Sequence, residues 1–320
     1  MFQLRDGVKK WAVLAPTALL PRPLRVAARE WGLARVEVAK ARRAQMLIIA
    51  HPKSGNTWLK AMLSRLYQQR YGLPEGLLHK TDEYTRLVPA VPRLAATNGC
   101  YSYEGAVGRL LDPDRGDPAM REKAVLFLAR HPCDIAVSWF FQFTRRQSAH
   151  KQELINHSIA HPIDRRSIEM WEFVRHSDVG LPFLIDFLNG WEQRLDAHPQ
   201  ALTVRYEDLR AEPAPTLRRI TELLGEEFQE EEIEQAVEFA SFANLRRLES
   251  QGVFRQGGLS LRNPQDPESF KVRRGRVGGY SDYFDKEQVA ELDALVAARL
   301  SPRFGYGPAH EAVRAPLAAS

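Results

Sequence analysis

The chain contains three short apolar runs, and the first of them is followed by a segment with the periodicity of a helix. The runs lie at 46–50, 123–129 and 201–206. Continuous apolar runs of this length are typical of strands buried on both faces of a parallel sheet. After the first run, Leu59, Met62, Leu63, Leu66 and Tyr67 recur at intervals of three and four, which indicates an amphipathic helix. The pattern predicts an α/β fold with a parallel sheet.

Other segments are predicted to be helices or loops from the same patterns. Helices are expected at 26–43, 183–195, 216–224 and 286–300. Residues 71–105 are rich in Pro, Gly and polar side chains, so we expect loops and short helices near the carboxyl ends of the strands, where open α/β folds bind ligands. Residues 145–164 carry three histidines without cysteines or clearly paired carboxylates, which favours a mobile, solvated lid over a metal site.

The loop between the first strand and its helix is a candidate anion site. It reads His51-Pro52-Lys53-Ser54-Gly55-Asn56-Thr57. A strand that enters a helix through such a loop directs unpaired backbone N–H groups and the positive end of the helix dipole at one point. We expect Lys53 and the amides of 54–57 to bind a phosphate. The loop is not a Walker A motif, because Lys53 precedes Gly55 instead of following a glycine.

The residues from Pro52 to Trp58, read as PKSGNTW, resemble the 5′-phosphosulfate loop of the sulfotransferases that use PAPS (3′-phosphoadenosine 5′-phosphosulfate). The resemblance implies that Lys53, Ser54, Gly55, Asn56 and Thr57 bind the donor. A large aromatic residue directly after a phosphate loop is suited to stacking on a purine, so Trp58 is expected at the adenine.

A second stretch resembles the 3′-phosphate motif of the same family. Arg130, Pro132, Asp134 and Ser138 follow the second strand with the spacing R-x-P-x-D-x-x-x-S. By this resemblance Arg130 and Ser138 hold the 3′-phosphate of PAPS. Asp134 is expected to cap the following helix or to serve as a structural partner.

Three more segments match the family in its order along the chain. Tyr206 begins a Y-E-D-L segment whose tyrosine approaches the adenine in the family, and Ser241 and Phe242 belong to an S-F-x-x-L element that contacts the nucleotide. The basic segment 270–280 resembles R-K-G-x-x-G. It implies that Arg273, Arg274 and Gly275 are further ligands of the 3′-phosphate, which arginine can hold through two parallel hydrogen bonds.

The resemblance extends from Met46 to Tyr283 and implies a three-layer αβα fold of the P-loop type, with a central parallel sheet. It implies an enzyme that transfers a sulfuryl group from PAPS to a hydroxyl or amine and releases PAP (adenosine 3′,5′-bisphosphate), without a metal. Such transfer needs an in-line nucleophile, a base and positive charge at the leaving phosphate. Lys53, Glu104 and Ser138 are the expected catalytic residues.

The base is assigned without help from the family's usual residue. Many members of the family carry a histidine in the region that corresponds to 99–108, and this chain has none there. Within this region Glu104 is the residue able to accept a proton, and we choose it as the base. The alternatives are His79, from the long insertion, and Tyr103, whose ordinary pKa of about 10 makes it a poor base near neutrality.

The sequence is also compatible with two other classes of function. One is a P-loop phosphotransferase such as a nucleotide kinase, which the missing GK[ST] sequence disfavours. The other is a nonenzymatic binding protein. The acceptor could be a small molecule, a lipid or a carbohydrate, and no nucleic acid is expected as a partner, because basic and aromatic residues do not alternate in a recognisable motif.

Composition and charge set the remaining expectations. The chain has 320 residues, a formal net charge of +5 and two cysteines, which fits a cytoplasmic protein that binds a polyanionic ligand. Residues 1–44 are expected to form a basic helical extension that can rest on an anionic membrane surface or pack on the main domain. The sulfotransferase-like domain is expected at 45–305, followed by a flexible tail at 306–320.

Overall fold

The structure is a computed structural model that describes residues 6–80, 82–254 and 276–306. Its centre is a parallel sheet with the strand order β2-β1-β3-β4. The strands are β1 (Met46–Ile49), β2 (Leu94–Thr97), β3 (Ala124–Ala129) and β4 (Ala201–Arg205). In register, Met46 of β1 lies opposite Leu94 on one side and Ala124 on the other, so the carboxyl ends of the strands share one edge.

Alternating side chains of the strands divide the interior into two cores. Leu47, Val125 and Phe127 point to one face of the sheet, whereas Ile48 and Leu126 point to the other. Both faces are therefore covered by helices, which explains why β1 and β3 read as continuous apolar runs. This is the expected three-layer αβα arrangement.

Helices connect the strands and cover the two faces. Their bounds are α1 (Asp6–Thr17), α2 (Arg22–Arg43), α3 (Asn56–Tyr71), α4 (Glu83–Leu87), α5 (Ala106–Leu110), α6 (Pro132–Phe141), α7 (Ala149–Ser158), α8 (Met170–Arg175), α9 (Leu181–Asp196), α10 (Tyr206–Ala211), α11 (Pro213–Leu223), α12 (Glu230–Phe239), α13 (Phe242–Ser250) and α14 (Lys286–Arg299). Short 3-10 turns lie at Ser102–Gly105, Pro118–Met120, Gly279–Tyr283 and Pro302–Phe304, and a π turn at Gln142–Arg146 extends α6.

The first two helices form an antiparallel hairpin that packs on the main body. Apolar contacts join Val26 and Leu33 of α2 to Tyr103 and to Leu154 of α7. The Nζ of Lys40 also donates to the carbonyl of Ala96 in β2, over 2.8 Å. The expected basic helix is thus present, and it is attached next to the end of strand β2.

Two expectations about local structure are wrong. Residues 94–97 were expected to be loop or short helix, but they form β2 at the edge of the sheet, where Leu-Ala-Ala-Thr offers little of the β-branched and aromatic composition that marks strands. Residues 145–164 were expected to be a mobile, solvated lid, but 149–158 form the helix α7, whose Leu154 and Ile155 are buried. Helix α7 therefore belongs to the packed body of the protein.

Candidate active site

A cavity of about 560 Å³ lies at the carboxyl ends of the strands. Its walls come from the loop after β1, the segment after β2, helices α6 and α7, the start of α10, helix α13 and the residues from Arg276 to Tyr283. Open parallel sheets bind ligands at this edge, because the chain diverges there into loops and helix N-termini.

The loop after β1 lines this cavity. Lys53 and Gly55 both have left-handed backbone conformations, with φ of 81° and 99°, and Gly55 precedes the first residue of α3. The amide of Trp58 donates to the carbonyl of Gly55, whereas Asn56 and Thr57, which open α3, line the cavity together with Lys53. The first N–H groups of a helix are suited to an anion. The loop therefore has the form of the anion site that the sequence predicted.

Aromatic side chains form the wall next to this loop. The ring centroids of Trp58 and Tyr206 are 5.5 Å apart, and the indole Nε1 of Trp58 donates to the carbonyl of Ala240 over 2.8 Å. Phe242 lines the cavity on the same side. Ser241 is exposed instead, and its hydroxyl accepts a hydrogen bond from the amide of Asn244 as the N-cap of α13. Of the S-F pair, the structure brings only Phe242 to the cavity.

Arg130 joins the end of β3 to the loop after β1. Its Nη1 donates to the carbonyl of Lys53 over 3.0 Å, and its guanidinium carbon lies 4.4 Å from the centre of the Tyr206 ring. Ser138 lines the cavity one helical turn beyond Asp134. Arg130 and Ser138 are thus brought together next to the loop, as the spacing of the motif predicted.

Asp134 is a structural partner and does not cap α6. The N-cap of that helix is His131, and Pro132 occupies its first turn. The two carboxylate oxygens of Asp134 accept hydrogen bonds from the amides of Gly278 and Tyr280, each over 3.0 Å. Asp134 thereby holds the end of the predicted basic segment against α6. Arg273, Arg274 and Gly275 lie outside the described residues, which resume at Arg276 on the cavity wall.

Glu104 lies on the wall of the same cavity, in the turn after β2. Its two carboxylate oxygens accept hydrogen bonds from the amide nitrogen of Asn98, each over 2.9 Å, and its Oε1 is 3.1 Å from the Nζ of Lys151 on α7. The charge of Glu104 raises the pKa of Lys151 well above its ordinary value and so keeps this ammonium group protonated. The carboxylate is therefore held in one orientation on the cavity wall.

The two alternative bases differ in position. His79 is not among the residues around the cavity: it is buried, its Nε2 lies 2.8 Å from the carbonyl of Pro92, and burial lowers its pKa to about 3. The expectation that His79 could reach in from the insertion is wrong, because its ring is packed between Tyr67 and Tyr84. Tyr103 does line the cavity, but burial raises its pKa further from neutrality.

Several cavity residues were not predicted from the sequence. His51 is fully buried, and its Nδ1 donates to the carbonyl of Pro52 over 2.8 Å, which leaves Nε2 as an acceptor 3.4 Å from the hydroxyl of Tyr101. Burial lowers the pKa of His51 to about 3, so the ring is neutral. Asn98 and Lys151 were also missed. The only signal for His51 was its place directly before the loop, and Asn98 and Lys151 are recognised only by their contacts with Glu104.

The cavity fits a ligand with two anionic groups joined by a nucleoside. Two buried donors next to its walls, the hydroxyl of Ser54 and the Nε of Arg130, have no hydrogen-bond partner within the described residues. Buried donors of this kind usually have a partner in the working protein. Together with Lys53 and the N-terminus of α3 they suit the phosphates of PAPS, and Trp58 suits its adenine. Among the residues that the structure describes, no cluster of three or more His, Cys, Asp or Glu side chains could hold a metal ion.

A family model described as "Sulfotransferase domain" matches residues 118–302, which is more than half of the chain. The chain belongs to the sulfotransferase family. Cytosolic sulfotransferase 16 of Arabidopsis thaliana is 28% identical over 274 residues, which cover 80% of this chain and 76% of the relative. Flavonol 3-sulfotransferase of Flaveria bidentis is 22% identical over 298 residues, which cover 82% and 83%.

The fold is also that of known sulfotransferase-like structures. A crystal structure of retinol dehydratase in a complex with retinol and PAP superposes with a TM-score of 0.51 at 18% identity, over 80% of this chain and 81% of that one. Because the family model and the relatives are sulfotransferases, the chain is a PAPS-dependent sulfotransferase, which transfers a sulfuryl group from PAPS to an acceptor and releases PAP. This finding decides against the phosphotransferase and against a nonenzymatic binding protein.

Proposed function

We propose that the donor lies along the carboxyl edge of the sheet, with its 5′ end at Lys53 and its 3′-phosphate at Arg130 and Ser138. Support comes from the hydrogen bond between Arg130 and the carbonyl of Lys53, which fixes the distance between the two anion sites. The adenine lies between the two anion sites in this proposal, where it is bordered by Trp58 and Tyr206, whose rings contact each other. The undescribed Arg273, Arg274 and Gly275 complete the 3′-phosphate site in this proposal, because Asp134 holds the chain that follows them beside α6.

The transfer assigns distinct tasks to Glu104 and Lys53, which line the same cavity. The donor supplies the sulfuryl group and leaves as PAP. Glu104 accepts the proton of the acceptor hydroxyl as the new oxygen–sulfur bond forms, and Lys53 stabilises the negative charge that develops on the leaving phosphate oxygen. Asn98 and Lys151 orient the carboxylate. The observation that carries this assignment is that Glu104 is fixed on the cavity wall within residues 99–108, which contain no histidine.

We further propose that the acceptor is an apolar small molecule with a hydroxyl group. The end of the cavity near Glu104 is bordered by Tyr101, Trp139, Leu154 and Ile155, which offer rings and aliphatic surface. Binding sites of this composition favour ring-containing or lipid-like alcohols over sugars, whose many hydroxyl groups need polar partners. The relatives named above, a flavonol sulfotransferase and a structure that holds retinol, are consistent with this class.

Replacing Glu104 by glutamine tests the assignment of the base. The amide keeps the shape but cannot accept the proton, so kcat should fall about 100-fold or more while the Kd for PAP stays within about twofold. Labelled PAPS and a panel of phenols, sterols, long-chain alcohols and sugars supply the assay. Glu122→Gln, at an exposed site away from the cavity, is the control.

Two outcomes would contradict the proposal. An unchanged kcat in Glu104→Gln would remove Glu104 from catalysis. Turnover of Lys53→Ala close to that of the unmodified protein would defeat the placement of the donor. A thermal-shift titration separates the class of activity: PAP should stabilise the protein in the presence of EDTA, whereas ATP with Mg²⁺ should not do so more strongly.

We also propose that the protein works in the cytoplasm and contacts membranes peripherally. The first part is supported by relatives named cytosolic sulfotransferases. The second part is supported by the excess of basic residues in the N-terminal helices, which the sequence already singled out.

A further inference from the structure

The N-terminal hairpin exposes a group of large apolar side chains. The exposed large hydrophobic residues of the described ranges are Val8, Trp11, Leu19, Leu20, Leu24 and Trp31, together with Tyr71 and Leu87 elsewhere. The first six all belong to α1, α2 or the turn between them, and we call them the apolar surface. Leu19 is 93% exposed and Trp31 is 63% exposed. A concentration of this kind on one element marks an interaction site, because single exposed residues would be scattered.

Basic residues outnumber acidic residues in the hairpin. Residues 6–43 contain nine Lys or Arg and three acidic residues. All three acids are engaged by partners within the fold: Asp6 pairs with Arg43, Glu30 accepts from the hydroxyl of Ser102, and Glu37 is buried. Seven of the nine basic residues pair with carboxylates of the fold, and the exposed Arg22 and Arg35 are the two that remain beside the apolar side chains.

Basic residues border the apolar surface directly. Arg22 lies in the exposed stretch between Leu19 and Leu24. The guanidinium of Arg35 lies 4.1 Å from the centre of the Trp31 ring on the exposed side of α2. Aromatic and aliphatic groups next to arginines are the composition of helices that lie in the interface of an anionic bilayer.

The hairpin is held firmly enough to present this surface in one orientation. Arg25 and Arg29 both pair with Glu153 on α7, at 2.5 and 2.9 Å. The Nε of Arg29 also donates to the hydroxyl of Thr17 at the end of α1, over 3.0 Å. The same α7 carries Lys151, which contacts Glu104, so the surface is attached to a wall of the cavity.

We propose that the apolar surface docks on an anionic lipid bilayer, with both helices lying on the membrane and their tryptophans at its interface. This inference rests on the peripheral contact proposed above and names the surface that makes it. A second copy of the chain is a poorer occupant, since a symmetric dimer through this face would bring Arg22 and Arg35 of the two copies together. No helix in the described ranges has the length and apolarity to cross a membrane.

Co-sedimentation with lipid vesicles tests the proposal. The full chain should bind vesicles of phosphatidylcholine and phosphatidylglycerol in equal amounts, and it should bind pure phosphatidylcholine much less. A triple variant, Leu19→Ser with Leu24→Ser and Trp31→Ser, should lose about tenfold or more of the affinity for the anionic vesicles. Leu87→Ser is the matched control, because Leu87 is 56% exposed on another element.

Charge is tested separately. Arg22→Gln with Arg35→Gln should weaken binding to anionic vesicles about 25-fold, with little change for neutral ones, since each arginine near an anionic surface contributes about a fivefold factor. Arg115→Gln, at an exposed position in the loop after α5, controls for net charge. Thermal unfolding and PAP binding are measured on every variant, so that a failure of the donor site is distinguished from a failure of docking.

Three results would overturn the proposal: no binding of the full chain to anionic vesicles, equal binding to neutral ones, or equal losses in Leu87→Ser and the triple variant. Sedimentation velocity without lipid supplies a fourth. A dimer that the triple variant dissociates would assign the apolar surface to a second copy.

Discussion

Gly55 connects the phosphate loop to the wall of the nucleotide site. Its φ of 99° is strained for any residue with a side chain. A Cβ added there would lie 2.6 Å from Cδ2 of Tyr206, which is closer than real Cβ contacts. Because Arg130 packs over the same tyrosine ring, displacement of this ring would disturb both proposed anion sites at once.

We predict that Gly55→Ala weakens PAP binding at least about tenfold and lowers the free energy of unfolding by about 1–3 kcal/mol. Calorimetric titration with PAP and urea unfolding measure the two effects. Gly72→Ala is the matched control, since Gly72 also has a positive φ, of 61°, but a Cβ there meets nothing within 4 Å. The control should lose stability without losing affinity. Equal affinity in both variants would mean that Tyr206 does not border the ligand.

At this scale the sequence predicted those residues whose roles are set within a short stretch of chain. Lys53, Gly55 and Arg130 occupy fixed places in strand–loop–helix units, so local spacing was enough to predict that they lie at the cavity. Glu104 is different. It could be selected as a candidate, but its partners Asn98 and Lys151 come from a strand end and from a helix 47 residues further along the chain. Such pairings are fixed by tertiary packing, which leaves no mark on spacing.

At the scale of elements, β2 shows why an edge strand is hard to predict. Its four residues pair with β1 alone, and two of them are alanines, so neither length nor composition separates them from the loop that precedes them. Its position nevertheless matters for the site. The chain leaves β2 at Thr97 and reaches Asn98 and then Glu104 at the carboxyl edge, so the proposed base depends on this strand.

Helix α2 is attached beside this strand by a buried charge cluster. The Nζ of Lys10 lies 2.6 Å from Glu37, Lys40 pairs with the same carboxylate, and Lys40 also donates to Ala96 of β2. Burial opposes the ionisation of Glu37, but the ammonium groups of Lys40 and Lys10 outweigh it and lower its pKa to about 2, from an ordinary 4.5. The cluster thus links α1, α2 and the edge of the sheet.

From this shift we predict that folding stability depends on Glu37 in acid. A carboxylate with a lowered pKa in the folded state stabilises the protein above its unfolded pKa, and this contribution, about 3 kcal/mol, is lost as the pH falls from about 4.5 towards 2. In Glu37→Gln the free energy of unfolding should drop by about 3 kcal/mol near pH 7 and differ less from the unmodified protein near pH 3. Urea unfolding at the two pH values measures this.

A second substitution controls for the buried lysine that Glu37→Gln leaves without its counter-ion. Adding Lys40→Met should recover part of the lost stability near pH 7, because it removes the uncompensated charge while keeping most of the side-chain volume. If Glu37→Gln instead lost the same stability at both pH values, the cluster would contribute through packing and not through its charges.

At the scale of the whole molecule, the site is assembled from segments far apart in sequence. The loop after β1, the end of β3 and the start of α10 meet because parallel strands align their carboxyl ends. Asp134 then brings Gly278 and Tyr280 to α6 from a position more than 140 residues away. The order of motifs indicated which segments belong to the site, and the hydrogen bonds of Asp134 show how the last of them is attached. A ligand that touches all of these segments should couple them.

Comparison of PAP with AMP, which lacks the 3′-phosphate, isolates the second anion site. In the unmodified protein PAP should bind and stabilise more strongly than AMP. Ser138→Ala should weaken PAP binding about tenfold, the usual effect of losing one hydrogen bond to a charged group, and leave AMP binding unchanged. Ser250→Ala, which removes a hydroxyl that donates within α13, is the control and should alter the binding of neither ligand.

Equal losses of affinity for AMP and PAP in Ser138→Ala would place Ser138 away from the 3′-phosphate. The coupling proposed between the two ends of the site would then have to rest on Arg130 alone among the described residues proposed for the 3′-phosphate.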